Sequence, residues 1–308
     1  MTSKKENVIE VSDLVKLYPG VRAVDGVSFQ VHKGEIFGML GPNGAGKTTT
    51  IECIEGLRTN DSGSIRVLDM DPRKNGYDLR EKIGIQFQSA SLPERTKVWE
   101  ALDLFSALYT KSIPWEPLLE KMGLEDKRNT YLAKLSGGQK QRVFIALALV
   151  NDPEIVFLDE LTTGLDPQSR RAMWDLVLNI RDREKTVFMT THFMEEAERL
   201  CDRVAIIDHG KIVALDSPQN LVNSLGDENR IVFESKEHLD IDRFRELSGA
   251  TRVEKIGDRF LVYGKKEGLT SRVVNNLDGL GIQYSNLHAE QPTLEDVFLK
   301  ITGKEMRD

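Results

Sequence analysis

At 308 residues, 40% hydrophobic and 30% charged, the chain has room for one large domain and a small one, with the composition of a soluble globular protein. No apolar run approaches the roughly 18 residues needed to span a bilayer, and the opening MTSKKENVIE carries no signal segment. The net charge of −7 argues against a protein that coats nucleic acid, and two cysteines, Cys53 and Cys201, without metal-like spacing point to a reducing compartment.

Residues 7–17 and 22–31 read as two strands around a Tyr-Pro-Gly turn. Tyr18 stands at that turn, where covering a sheet edge is its plain structural role. A short apolar strand over 36–40 runs straight into GPNGAGKT, residues 41–48, which match the P-loop pattern G-x-x-x-x-G-K-[ST] in full. Gly41, Gly44 and Gly46 let the backbone turn its N–H groups inward around a phosphate at a helix N-terminus. Lys47 can set a positive charge on the β- and γ-phosphates, and the Thr48 hydroxyl can ligate Mg²⁺. With a helix expected over 49–57, the context is the one a nucleotide site requires.

Residues 63–69 and 82–87 read as further strands, with Gln86 and Gln88 after the second apolar run. Val98, Ala101, Leu102, Leu104, Phe105 and Leu108 recur at helical spacing, continued by Leu118, Leu119 and Met122, which predicts a helical subdomain over about 93–150. Residues 135–166, LSGGQKQRVFIALALVNDPEIVFLDELTTGLD, then combine a capped helix with a buried strand. Ser136, Gly137, Gly138 and Gln139 fit a capping box, and a helix N-terminus of this kind is an anion site. The apolar run 155–158 predicts a central parallel strand with Asp159 and Glu160 at its carboxyl end, where open α/β sheets bind ligands.

Asp166 suits the N-cap of a helix opened by Pro167. A strand over 186–189 leads to Thr190-Thr191-His192; a lone histidine is more often structural, but this one ends a third core strand beside those bearing Lys47 and Glu160. Residues 204–216 read as a hairpin turning at His209-Gly210. A boundary is placed near 226, giving domains 1–226 and 227–308. The second domain reads β-α-β-β-α-β, the ferredoxin-like order, with a final helix over 293–301 whose Leu294, Val297, Phe298 and Ile301 share a face.

The P-loop, LSGGQ, the strand ending in Asp159-Glu160, the GLDP of 164–167 and His192, in this order over about residues 5–220, resemble the nucleotide-binding subunit of ABC transporters. The tail QPTLEDVFLKITG, 291–303, is similar to the exporter-type branch that includes daunorubicin-type drug-efflux ATPases. The resemblance implies a P-loop α/β domain with a helical subdomain and an N-terminal antiparallel β-subdomain, ahead of the ferredoxin-like domain. It implies that Gly41, Pro42, Asn43, Gly44, Ala45, Gly46, Lys47, Thr48 and Thr49 bind ATP, that Tyr18 stacks on adenine, and that Thr48, Gln88 (rather than Gln86) and Asp159 serve Mg²⁺. Glu160 would polarise the attacking water and His192 touch the γ-phosphate. Ser136 to Gln139 and Asp166 would serve the nucleotide of a second copy in a head-to-tail dimer. The family usually has proline after this glutamate; here it is Leu161, which leaves the backbone at Glu160 freer.

The implied function is ATP hydrolysis that powers a membrane exporter through a separate transmembrane permease, with the chain peripheral on the cytoplasmic face of the membrane and no nucleic-acid partner. The alternative is a soluble ABC-type ATPase that remodels ribosomes or DNA; such proteins are expected to carry a second ATPase module or a long coiled coil. For the C-terminal domain two roles stand open: dimer stabilisation through the face over 293–301, or control of closure by a ligand.

Overall fold

The computed structural model describes residues 6–226, 228–237, 239, 241–265 and 268–303. The chain divides into two compact units, one running to Pro218 and the other beginning at Gln219, whereas the sequence reading closes the first at 226.

The first unit opens with β1 (Asn7–Tyr18) and β2 (Val21–His32), followed by β3 (Ile36–Leu40), α1 (Lys47–Ile54), β4 (Ser62–Val67), α2 (Gly76–Arg80) and β5 (Ile83–Gln86). Helices α3 (Val98–Ala107), α4 (Glu116–Lys121) and α5 (Gly137–Leu149) come next, with two 3-10 turns, Glu125–Lys127 and Leu132–Lys134, between α4 and α5. Then come β6 (Ile155–Asp159), α6 (Pro167–Arg181), β7 (Thr186–Thr191), α7 (Met194–Leu200), β8 (Arg203–Asp208) and β9 (Lys211–Asp216). Two sheets result. The antiparallel one has the order β2-β1-β4, so the strand expected over 63–69 joins the N-terminal pair. The other has the order β5-β6-β7-β3-β8-β9 and is parallel except for the β8–β9 hairpin at its edge.

Every residue of β3, β6 and β7 is buried, as expected when both faces of a parallel sheet are covered. The two sheets meet over phenylalanines: Phe29 on β2 stacks on Phe37 of β3 at 5.1 Å, and Phe188 on β7 lies 5.5 Å from Phe37 and 5.8 Å from Phe157 of β6. Aromatic pairs in this range add about 0.5–1.5 kcal/mol each beyond burial. The P-loop thus springs from a clamped strand.

Helix α1 starts two residues before the expected 49 and ends at Ile54. The face expected on α3 is only partly right: Val98, Ala101 and Leu102 are buried, whereas Leu104 and Leu108 are 55% and 68% exposed. Periodicity finds the helix but not the extent of its cover, because Phe105 and Leu108 line an open groove with Phe87 and Tyr109.

The second unit holds α8 (Pro218–Asn223, its first residue in the first unit), β10 (Glu228–Glu234), α9 (Ile241–Arg245), β11 (Ala250–Ile256), β12 (Arg259–Lys265), α10 (Leu269–Gly279), β13 (Ser285–Glu290) and α11 (Leu294–Thr302). The sheet order β11-β12-β10-β13, antiparallel throughout, is the split β-α-β arrangement expected from the sequence. Its last strand lies at 285–290 rather than 281–287. The core gathers Phe233, Phe244 and Phe260, and Arg230 on β10 pairs with Glu290 on β13 (2.6 Å) and Asp296 on α11 (3.0 Å). On α11, Leu294, Val297 and Phe298 are already buried and only Ile301, at 43%, is open. Most of the face read as a docking surface is therefore spent inside the chain.

Candidate nucleotide site

The loop between β3 and α1 is built on glycine for a geometric reason. Gly46, the N-cap of α1, sits at φ 104°, and a Cβ there would stand 2.3 Å from the Ala23 carbonyl oxygen. Only glycine lets the loop close this tightly against β2. Lys47 follows as the first residue of α1 and is 4% exposed. Its Nζ donates to the carbonyls of Gly41 (2.8 Å) and Pro42 (3.1 Å) and lies 3.3 Å from Glu160 Oε1. Burial pulls the pKa of Lys47 down, while the carboxylates of Glu160 and Asp159 oppose the fall.

The loop opens on a cavity of about 420 Å³, with Gln88 and Glu160 on one side. Part of the lining was not foreseen from the sequence: Val21, Arg22, Ala23, His209 and Gly210. His209 (φ 45°) and Gly210 (φ 77°) form a two-residue turn with both central φ positive, the kind that matches strand twist. Gly210 N donates to Ala45 O (3.0 Å) and Gly210 O accepts from Asp25 N (2.8 Å), so the hairpin tip braces the loop. The His-Gly turn was legible in the sequence; its contact with the loop was not.

The two acids end β6. The Thr190 hydroxyl on β7 donates to Asp159 Oδ1 and accepts from Glu160 N (3.0 Å). Burial pushes the pKa of Asp159 up and Glu160 adds to this, against hydrogen bonds from Thr190 and Thr48 and the charge of Lys47. Glu160 is in the left-handed region at φ 48°, a conformation that costs a non-glycine residue about 1–3 kcal/mol and is characteristic of functional turns. Its carboxylate receives Gln88 Nε2 (2.7 Å) and the Thr163 hydroxyl (3.4 Å) and faces His192 Nδ1 at 3.6 Å. Leu161, in the position of the usual proline, is 1% exposed. The Glu160 backbone is held by the Thr190 oxygens, at 3.0 Å from the hydroxyl and 3.2 Å from the carbonyl, not by a fixed φ at the next residue.

Thr48 and Gln88 line the cavity and the Thr48 hydroxyl reaches Asp159, so the groups these three side chains have to offer an ion are a hydroxyl, an amide oxygen and a carboxylate, all of them oxygen donors. Such a set fits a hard divalent cation such as Mg²⁺ rather than a soft metal. Gln86 has no place in it: it is buried, and its amide nitrogen donates to the Phe87 carbonyl.

The remaining residues singled out in the sequence lie elsewhere. The Tyr18 ring does not line the cavity; the cations of Lys16 (5.6 Å) and Arg58 (5.5 Å) lie over it. The Ser136 and Gln139 capping box is formed, with Gln139 N donating to Ser136 Oγ (3.3 Å) and Ser136 N to Gln139 Oε1 (3.0 Å). Ser136 and Gly137 are exposed and Gly138 buried, and none of the four borders the cavity. Asp166 caps α6 by accepting from Gln168 N and Ser169 N, and the Ser169 hydroxyl and these amides hold its pKa down. Of the two helix N-termini singled out in the sequence, that of α1 borders the lysine-bearing cavity and that of α5 does not.

Comparison with known proteins places this arrangement. A family profile described as "ABC transporter" matches residues 24–163. The chain is 38% identical to the Nod factor export ATP-binding protein I of Burkholderia orbicola, covering 97% of this chain and 98% of that one. It is 36% identical to the protein of the same name in Cupriavidus pinatubonensis, over 98% and 92% of the two chains. Among solved structures it resembles an ATP-binding subunit of an ABC transporter (TM-score 0.65, 28% identity, 71% of this chain and 93% of that one). It also resembles a dimeric ATP-binding cassette in a post-hydrolysis state bound to ADP and Pi (TM-score 0.60, 26% identity, 68% and 98%). These relatives are named for export and for ATP-binding cassettes, and lend nothing to work on ribosomes or DNA. With a cavity at its P-loop, two acids at the end of β6 and, apart from the cavity, a capped LSGGQ helix, the chain belongs to the ATP-binding proteins of ABC transporters, the ATPases that hydrolyse ATP to power transport.

Proposed function

We propose that this chain binds ATP with Mg²⁺ in the Lys47 cavity, hydrolyses it with Glu160 orienting the water, and drives export through a separate permease as a head-to-tail dimer. The observation that carries the reading is the placement of Glu160. Its carboxylate stands at the cavity wall within reach of Lys47, Gln88 and His192, one residue beyond Asp159. Phosphoryl transfer to water asks for charge neutralisation and an aligned nucleophile rather than a covalent intermediate. A γ-phosphate at the loop competes with Glu160 for Lys47 Nζ, which moves the cation onto the phosphate and frees a carboxylate oxygen to take a proton from water. His192, facing the same carboxylate, is set to donate to a γ-phosphate oxygen. Mg²⁺, held by Thr48, Asp159 and Gln88, would supply positive charge to the phosphate oxygens when bound.

The exposed capping box at Ser136 supports the dimer, since a second anion site outside the cavity is accounted for by the nucleotide of another copy. Support for a permease comes from a groove of about 720 Å³ beside Gln88, where Phe87, Phe105, Leu108 and Tyr109 meet; Phe87 and Leu108 are 44% and 68% exposed. No helix among the described residues is long and apolar enough to cross a membrane, so the membrane path is assigned to another chain and this one to its cytoplasmic face. The relatives named for Nod factor export mark exporters as the class of machine.

The test is purification of the tagged chain from its own membranes. A polytopic membrane protein that co-purifies and raises ATP turnover supports the reading; co-sedimentation with ribosomes or DNA instead overturns it. Glu160→Gln is expected to bind ATP, form a dimer in its presence and fail to turn over.

A further inference from the structure

We infer that Glu196 is a positioning residue for hydrolysis: its buried carboxylate holds the turn that carries Glu160 in its left-handed conformation. The inference rests on the reading of Glu160 as the residue that orients water.

Glu196, on α7, is 1% exposed. A carboxylate removed from water is expensive unless hydrogen bonds answer it. One of its oxygens, Oε1, accepts twice, from the Thr162 hydroxyl at 3.0 Å and from the Trp174 indole N–H at 3.1 Å. Thr162 and Trp174 are themselves 1% exposed, so both bonds are sheltered from water. Thr162 lies two residues after Glu160. The turn between is closed by Thr163 N donating to Glu160 O (3.2 Å) and Leu165 N to Thr162 O (3.2 Å). It ends at Asp166, the cap of α6, and α6 carries Trp174. Helix α7 begins two residues after His192. The segments bearing Glu160, Asp166 and His192 are thus tied to a single carboxylate.

This arrangement answers a problem posed by the site. Glu160 at φ 48° holds a conformation that persists only where its surroundings over-determine it. The Thr190 oxygens fix its N–H from the sheet side. Leu161 leaves φ unrestrained on the other side, where proline would fix it. Thr162 is the first side chain beyond that point with a buried polar anchor, and the anchor is Glu196. Release of that tether lets the Glu160 carboxylate drift from the water it aligns, and a misplacement of about 1 Å costs roughly 10²-fold in rate.

The test compares full-length variants for ATP kcat, KM and the urea midpoint. Glu196→Ala is expected to lower kcat by about 10- to 100-fold with KM for ATP within about threefold of wild type. Glu196→Gln, whose amide oxygen still accepts both bonds, is expected to keep kcat within about threefold. Thr162→Val lowers kcat on its own and adds nothing when combined with Glu196→Ala, as for two halves of one contact. A folded Glu196→Ala protein with wild-type kcat overturns the inference, as does a Glu196→Gln protein as slow as the alanine variant, or effects of Glu196→Ala and Thr162→Val that multiply. Should Glu196→Ala fail to fold, Thr162→Val decides alone, and wild-type kcat there overturns the inference. Glu160→Gln separates the two readings: rapid turnover by that variant removes the role of Glu160, whereas a dead Glu160→Gln beside a fully active Glu196→Ala removes only the role of Glu196.

Discussion

Thr190→Val probes the most buried polar contact of the site with a near-isosteric change. The hydroxyl, fully buried, joins Asp159 to the Glu160 amide. A hydrogen bond to a charged group contributes about 1.5–3 kcal/mol, and the methyl that replaces it returns about 0.8 kcal/mol through burial. The net loss is therefore about 1–2 kcal/mol, and its pH dependence identifies the partner. Burial raises Asp159 above its ordinary value, so the folded chain holds this proton more tightly than the unfolded chain. The stability this group supplies is present below the unfolded value and is lost as pH rises through the folded one. Thr190 limits that rise by favouring the charged form, and valine lets the folded pKa climb further. The variant should match wild type closely where Asp159 is protonated in both, and should fall short by the full 1–2 kcal/mol above the raised pKa of the variant. Urea unfolding at two pH values, one below the ordinary carboxylate range and one well into the alkaline range, reads the difference, with a midpoint shift of about 0.5 M at the higher pH for a slope near 3 kcal/mol/M. A shift of equal size at both values would refute the argument, because it would place the hydroxyl's worth in packing rather than in the carboxylate.

Three further changes test other parts of the site. Gly46→Ala sets a Cβ 2.3 Å from the Ala23 carbonyl at a φ of 104°, so the loop must open; ATP affinity by calorimetry should fall at least about tenfold, about 1.4 kcal/mol, and unchanged affinity would show that the loop tolerates the shift. Leu161→Pro removes a side chain that is 1% exposed and should cost about 2 kcal/mol of stability without raising kcat. A faster enzyme would mean that proline, not the Thr190 and Glu196 contacts, is what Glu160 lacks. Gly84→Ala on β5 drives a Cβ to within 1.8 Å of the Ala148 carbonyl on α5, and thermal unfolding should show a loss of at least about 3 kcal/mol; a wild-type melting curve would contradict the close approach of strand and helix.

What the sequence made legible is what depends on neighbours along the chain. The capping box at Ser136, the glycines of the P-loop, the buried run of β6 and the His209-Gly210 turn are all set by residues within a few positions of one another. The choice of Gln88 over Gln86 came from resemblance, since either followed the apolar run equally well, and it is Gln88 that meets Glu160 across 72 residues of sequence. The rest was hidden for one physical reason: it consists of contacts that only the closed sheet creates. Thr190 reaches Asp159 because β7 lies beside β6, and the hairpin tip reaches Ala45 because β8 lies beside β3. Glu196 reaches Thr162 and Trp174 across 34 and 22 positions, and no pattern in ERLCDR or MEEAE distinguishes its carboxylate from the exposed one at the preceding residue, Glu195. Leu104 fails in the opposite sense, since a leucine at helical spacing announces burial that its exposed position does not provide. The motif residues could thus be named from the chain, while the groups that hold them in place could be named only from the fold. Loss of the first should abolish turnover outright; loss of the second should slow it while leaving nucleotide affinity intact.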